Sequence, residues 1–127
     1  MRIIIANDQP KIRFALRVAL ERQPGFKTIS EASDAKDLLT QAQAICPDLA
    51  IIEWGLPDLP MAELIGALRN RCCSTHVIIL SGRVETRTQA LAAGANEFIC
   101  MCDAPDELLT AIDRCFTKEQ PRVEWKG

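Results

Sequence analysis

The chain has 127 residues, 48% of them hydrophobic and 25% charged, with a formal net charge of -2 at pH 7. This length supports one domain with a core of its own, and the slight acidity gives no electrostatic footprint for nucleic acid or an anionic membrane. Aromatic residues make up only 5% and Tyr is absent, which argues against a base-stacking surface, and no apolar run approaches the ~18 residues that span a bilayer.

Ile3 to Ala6 is a short apolar run that ends in Asn7-Asp8. It lacks the length and the small-residue cleavage site of a signal peptide, so it reads as a first strand in a cytoplasmic protein. Pro10 opens a helical pattern with Ile12, Leu16, Ala19 and Leu20 on one face, and Pro24-Gly25 ends it. Phe26 to Ala32 reads as a second, more polar strand. Ser33-Asp34 supplies a cap for a second helix carrying Ala35, Leu38, Leu39, Ala42 and Ile45, closed by Cys46-Pro47.

The third strand is Leu49 to Glu53, an apolar run that delivers one carboxylate to its end and breaks at once into Gly55, Pro57, Asp58 and Pro60. Met61, Leu64, Ile65 and Leu68 recur at helical spacing, and Arg69-Asn70-Arg71 suits the negative pole of that helix. His76 to Leu80 is a fourth strand ending in Ser81-Gly82. Ala90 to Ala93 belong to a fourth helix stopped by Gly94, and Phe98 to Met101 is a fifth strand. A fifth helix begins at Asp103-Ala104-Pro105-Asp106-Glu107 and buries Leu108, Ala111, Ile112, Cys115 and Phe116. Residues 120–127 read as a tail or the start of a linker, leaving a domain over residues 1–119.

Five alternations of strand and helix with short connections imply an α/β fold: a doubly wound parallel sheet covered on both faces. In such sheets, ligands meet the carboxyl ends of the strands at the point where strand order reverses. With the order 2-1-3-4-5, strands one and three are neighbours there, and Asp8 faces Glu53. The Gly-rich loops that cradle nucleotide phosphates are absent, which disfavours a nucleotide-binding or small-molecule enzyme. The lone His76 has no partner at metal-ligand spacing, and none of the six cysteines falls in Cys-x-x-Cys. They read as buried, reduced thiols acting as small hydrophobes.

On these strand ends the chain resembles a receiver domain of two-component response regulators, a CheY-like fold, over nearly its full length. Ile29 to Ala35 (Ile-Ser-Glu-Ala-Ser-Asp-Ala) and Ala90 to Ile99 (Ala-Leu-Ala-Ala-Gly-Ala-Asn-Glu-Phe-Ile) are similar to receivers of LuxR-type transcriptional regulators. The resemblance implies a Mg²⁺-assisted module that accepts a phosphoryl group from a histidine kinase and is not itself an enzyme. By position, Asn7 and Asp8 correspond to the acidic pair and Glu53 to the phosphoaccepting Asp. Ser81 corresponds to the switch hydroxyl, Phe98 to the switch aromatic, and Met101 to the Lys after strand five. Pro57 matches a loop proline usual in the family.

Three of those positions depart from the pattern, and each departure has a physical consequence. Glu53 carries its carboxylate about an ångström or more beyond the place an Asp would reach, and in-line attack is intolerant of such displacement. Met101 cannot donate the charged hydrogen bond that a Lys gives a phosphoryl oxygen. Asn7 removes one carboxylate and Met101 one cation, so the formal charge of the pocket is unchanged and a cation remains conceivable between Asp8, Glu53 and the Gly55 carbonyl. The expectation is at most weak Mg²⁺ binding, no other cofactor, and little or no phosphotransfer at Glu53.

The reading is thus an atypical receiver acting through protein contacts. Its partner, a signalling protein or a second copy, meets the face of helix four, strand five and helix five, which includes Val84 to Ala93, Phe98 and the outer side of Asp106 to Lys118. The alternative is a receiver phosphorylated on Glu53, Asp8 or Asp58 that regulates a DNA-binding output. A further reading lets the Glu53 carboxylate stand in for part of a phosphoryl group and reach toward Ser81. Trp54 lies either over the pocket or on the surface.

Overall fold

A computed structural model describes residues 2–22, 28–72 and 74–100. Five parallel strands form one sheet in the order β2-β1-β3-β4-β5, with β1 at Arg2–Ala6, β2 at Thr28–Ala32, β3 at Leu49–Glu53, β4 at His76–Ser81 and β5 at Glu97–Cys100. The connecting helices are α1 (Pro10–Glu21), α2 (Ala35–Ile45), α3 (Met61–Arg71) and, after a 3₁₀ turn at Val84–Thr86, α4 (Arg87–Ala92). Both the strand order and the alternation agree with the sequence reading. The helix expected after Asp103, Met101 and the tail lie outside the described residues.

The strands read as apolar runs because both of their faces are buried. Successive side chains point to opposite sides. Ile3, Ile5, Leu49, Ile51, Ile78 and Leu80 therefore pack with Leu20 of α1. Ile4, Ala50, Ile52, Val77 and Ile79 pack on the other side with Leu38, Leu64, Ile65 and Leu68 of α2 and α3. Ala42 and Ala35 are the small residues that let α2 approach the sheet, and both are fully buried.

Local chemistry sets the helix ends. Asp34 caps α2 by accepting the Asp37 N–H at 2.7 Å. The α1 start uses Asn7 instead: its Oδ1 accepts the Gln9 N–H at 2.9 Å, and Pro10 then occupies a first-turn position. Gly94 stops α4 at φ +115°, a conformation that an L side chain rarely adopts. At the carboxyl end of α3, Arg69 bonds the Thr75 and Gly94 carbonyls and Asn96 Oδ1, at 3.0, 2.8 and 2.6 Å. This ties α3 to the strand entries of β4 and β5.

Several boundaries differ from the sequence reading: β1 starts at Arg2, β4 runs to Ser81, β5 starts at Glu97, and a 3₁₀ turn at Val84–Thr86 precedes α4, which starts at Arg87. The reading of all six cysteines as reduced filler is corrected. Cys46 and Cys72, at the carboxyl ends of α2 and α3, form a disulfide with their Cα atoms 5.5 Å apart, and Cys100 is disulfide-bonded as well. Sequence spacing carries no sign of this pairing, which arises only because both helices end at the amino edge of the sheet.

Candidate functional site

Ala6 pairs with Ile52 in the β1–β3 register, so Asn7, just past β1, stands beside Glu53, the last residue of β3. The expected meeting of Asp8 with Glu53 is present: the Asp8 backbone N–H donates to Glu53 Oε1 at 3.2 Å. Glu53 is half-buried and Asp8 is exposed. Withdrawal from water raises the Glu53 carboxyl above the ordinary glutamate range. The Asp8 N–H pulls it back in part, and the Asp8 carboxyl, by hydrogen bonding and by its charge, pushes it up again.

Asn7 is buried beneath this pair, with its carboxamide oxygen on the Gln9 N–H. Its carbonyl accepts from Arg13 Nη1 at 2.6 Å, and the same guanidinium bonds Glu31 through Nε at 3.1 Å. Arg13, which the sequence reading passed over, is thus a cation held close to the β1 end. Its hydrogen bonds go to Asn7 and Glu31 rather than to Glu53. Periodicity had placed it on α1, but only the fold shows that it turns back over Asn7.

Glu53 opens on a cavity of about 170 Å³ bounded by Gln9, Ile12, Trp54, Leu80 and Ser81. Among the described residues, Glu53 is the only charged side chain in that lining, and no cation faces it. Trp54, whose place the sequence left open, is half-buried and forms a wall of this cavity. Its other side lines a groove of about 580 Å³ against α3 and α4, where Gly55 also lies.

Ser81 is buried at the end of β4, and its hydroxyl is engaged in the turn that follows. Ser81 Oγ accepts the Arg83 N–H at 3.0 Å and lies 3.2 Å from the Arg83 carbonyl. Thr86 Oγ1 sits 2.8 Å from Ser81 Oγ and 2.7 Å from the Arg83 carbonyl. This network makes the 3₁₀ turn, and Thr86 is a residue that the sequence reading missed. Phe98 is buried, with the Arg87 guanidinium carbon 5.9 Å from its ring centroid, within cation–π range. Ser81 is thus bonded within its turn while lining the Glu53 cavity, and Phe98 is packed in the core.

The Mg²⁺ that the resemblance implies needs near-octahedral oxygen ligands. Among the described residues, no group of three or more His, Cys, Asp or Glu side chains converges. One Glu53 oxygen is already turned to the Asp8 N–H, and Gly55 sits in the neighbouring groove. The residues present do not fit an ordinary Mg²⁺ cradle. Asp58, with φ 95°, faces α2 and accepts the Lys36 N–H at 3.4 Å. It lies outside the Glu53 cavity.

Comparison with known proteins agrees with this geometry. The family described as "Response regulator receiver domain" matches residues 3–113. The transcriptional regulatory protein KdpE of Mycobacterium tuberculosis is 30% identical over 131 residues, covering 96% of this chain and 57% of its own. A two-component response regulator of the LuxR family from Aurantimonas sp. SI85-9A1 superposes with a TM-score of 0.84 at 25% identity, covering 92% of this chain and 85% of the other. The Francisella response regulator 1452 receiver domain gives a TM-score of 0.80 at 25% identity, covering 93% and 98%. The chain spans about half the length of the curated relatives it matches. With its sheet order, its acid at the end of β3 and these likenesses, the chain belongs to the response regulator receiver domain family, a signalling module rather than a catalyst.

Proposed function

We propose that this receiver transmits a signal through protein contacts, with little or no phosphotransfer at residue 53. The observation that carries the reading is the Glu53 carboxylate resting on the Asp8 N–H beside a cavity with no facing cation among the described residues. Phosphoryl transfer depends on positioning and on charge stabilisation of the transferred group. Here the acceptor is one methylene longer than Asp, the Lys position holds Met101, and the Ser81 hydroxyl is engaged by Arg83 and Thr86. Mg²⁺ binding is weak on the same grounds.

Partner contact falls to the surface around α4 and β5. Val84, in the 3₁₀ turn, and Leu91, in α4, are 60% and 41% exposed there. A second copy or a signalling protein docks on this surface. No helix among the described residues is long and apolar enough to cross a membrane. A cytoplasmic place, a receiver unit over residues 1–119, a tail or the start of a linker over residues 120–127, and an attached or partner output complete the reading. The names of longer relatives such as KdpE support the output.

Incubation with acetyl phosphate and Mg²⁺, followed by intact-mass analysis, tests the proposal. The expected spectrum shows no added phosphoryl group. Stoichiometric labelling at residue 53 would overturn it.

A further inference from the structure

Cys46 and Cys72 join two helices that are otherwise held at their far ends. At the amino end of α2, the Ala35 N–H donates to the Pro57 carbonyl at 3.0 Å and the Lys36 N–H to Asp58 Oδ2 at 3.4 Å. These bonds attach α2 to the loop that follows Glu53 and leads into α3. At the carboxyl ends of both helices, the attachment is the disulfide. The α2–α3 pair is thus closed at both ends, and one closure is a bond that thiol chemistry opens.

Three features fit a bond that opens and closes. Cys46 is exposed whereas Cys72 is only 5% exposed, so an external thiol has one sulfur to attack. Both thiols of the opened state have acceptors in place: Cys72 Sγ lies 3.4 Å from the Ala42 carbonyl and Cys46 Sγ 3.8 Å from the Arg71 carbonyl. Cys46 also caps α2 at φ 44°, a left-handed position that helices commonly fill with Gly. Helix geometry alone therefore gives no reason for a cysteine there.

We propose that Cys46 and Cys72 are a reversible thiol–disulfide site, closed by oxidation and opened by a cellular thiol reductant, that sets how firmly α2 is held to α3. In opening, a thiolate of reduced glutathione or of a dithiol protein attacks Cys46 Sγ. Cys72 leaves as thiolate and takes a proton, and a second reductant thiol resolves the mixed disulfide. One S–S bond in the chain is exchanged for one in the reductant, a transfer of two electrons. The inference rests on the cytoplasmic placement proposed above, because in reducing compartments protein disulfides are usually transient or redox-sensing.

The test equilibrates the full chain in glutathione buffers from fully reduced to fully oxidised, traps free thiols by alkylation and maps them by peptide mass. Cys46 and Cys72 are expected to convert together, with a midpoint inside the span of glutathione ratios found in cytosol. The opened form is expected to melt lower by roughly 5–15 °C and to exchange the Ala35 amide severalfold faster. A Cys46→Ser/Cys72→Ser variant loses the step in melting that tracks this pair and keeps only what the Cys100 disulfide contributes, and mapping on the unaltered chain decides the matter if that variant does not fold. Cysteines that stay paired in every buffer, stay free in every buffer, or convert independently would overturn the proposal. Because the mapping uses purified protein, its result is separate from cell fractionation, which tests the placement.

Discussion

The Asp8 backbone N–H and the Glu53 side chain are joined at 3.2 Å across the reversal point of the sheet. Through this bond, the last residue of β3 is held by the loop after β1. It also gives the longer acid a fixed donor, the Asp8 N–H on Oε1. The pocket that results holds one negative charge against an apolar wall of Ile12, Trp54 and Leu80.

Titration of Glu53 should be visible in stability. Its folded carboxyl is raised, first by burial and then by Asp8, with the Asp8 N–H opposing. A raised acid binds its proton more tightly in the folded chain, so stability falls as pH rises from the ordinary carboxyl range through the raised folded value. Below that window the penalty is absent. Glu53→Gln keeps an oxygen for the Asp8 N–H and removes the charge. Its melting temperature should exceed that of the unaltered chain at pH 7, and the gap should close at low pH in calorimetric scans.

The turn after β4 should depend on its hydroxyls. Ser81→Ala removes the acceptor for the Arg83 N–H and the neighbour of Thr86 Oγ1. A lost hydrogen bond of this kind costs about 1 kcal/mol, or a fall of a few degrees in melting temperature. Thr86→Val, at a buried position, should cost a similar amount. The two losses in the double variant should sum to less than the singles, because the residues share one network.

Gly94→Ala should destabilise more. The residue stands at φ +115°, and an added Cβ would lie 3.2 Å from Ile65 Cγ2. Strain of that type costs on the order of 1–3 kcal/mol, and urea denaturation should show a lowered midpoint with unchanged slope.

Much of this architecture is legible in the residues themselves. Ile3 to Ala6, Leu49 to Ile52 and Val77 to Leu80 are apolar without alternation because helices cover both of their faces, and that pattern marks the strands, while their order rests on the doubly wound topology that the alternation of elements implies. The meeting of Asp8 and Glu53 follows from the same topology. What stays hidden depends on how elements end against one another. Arg13 turning back to Asn7, Thr86 closing on Ser81, and Trp54 standing between a cavity and a groove are tertiary outcomes with no local sequence sign. The Cys46–Cys72 bond is of the same kind, since 26 positions separate two residues that only the packing of α2 on α3 unites.

Restoring the family's usual residues tests the proposal of little or no phosphotransfer most directly. The combined variant Asn7→Asp, Glu53→Asp and Met101→Lys returns the shorter nucleophile, the second acid and the cation. Phosphoryl labelling by acetyl phosphate with Mg²⁺, followed over time by intact mass, should rise roughly 100-fold over the unaltered chain, the scale of one regained charge-stabilising donor. Equal labelling of both proteins, or rapid labelling of Glu53 in the unaltered chain, would contradict the account.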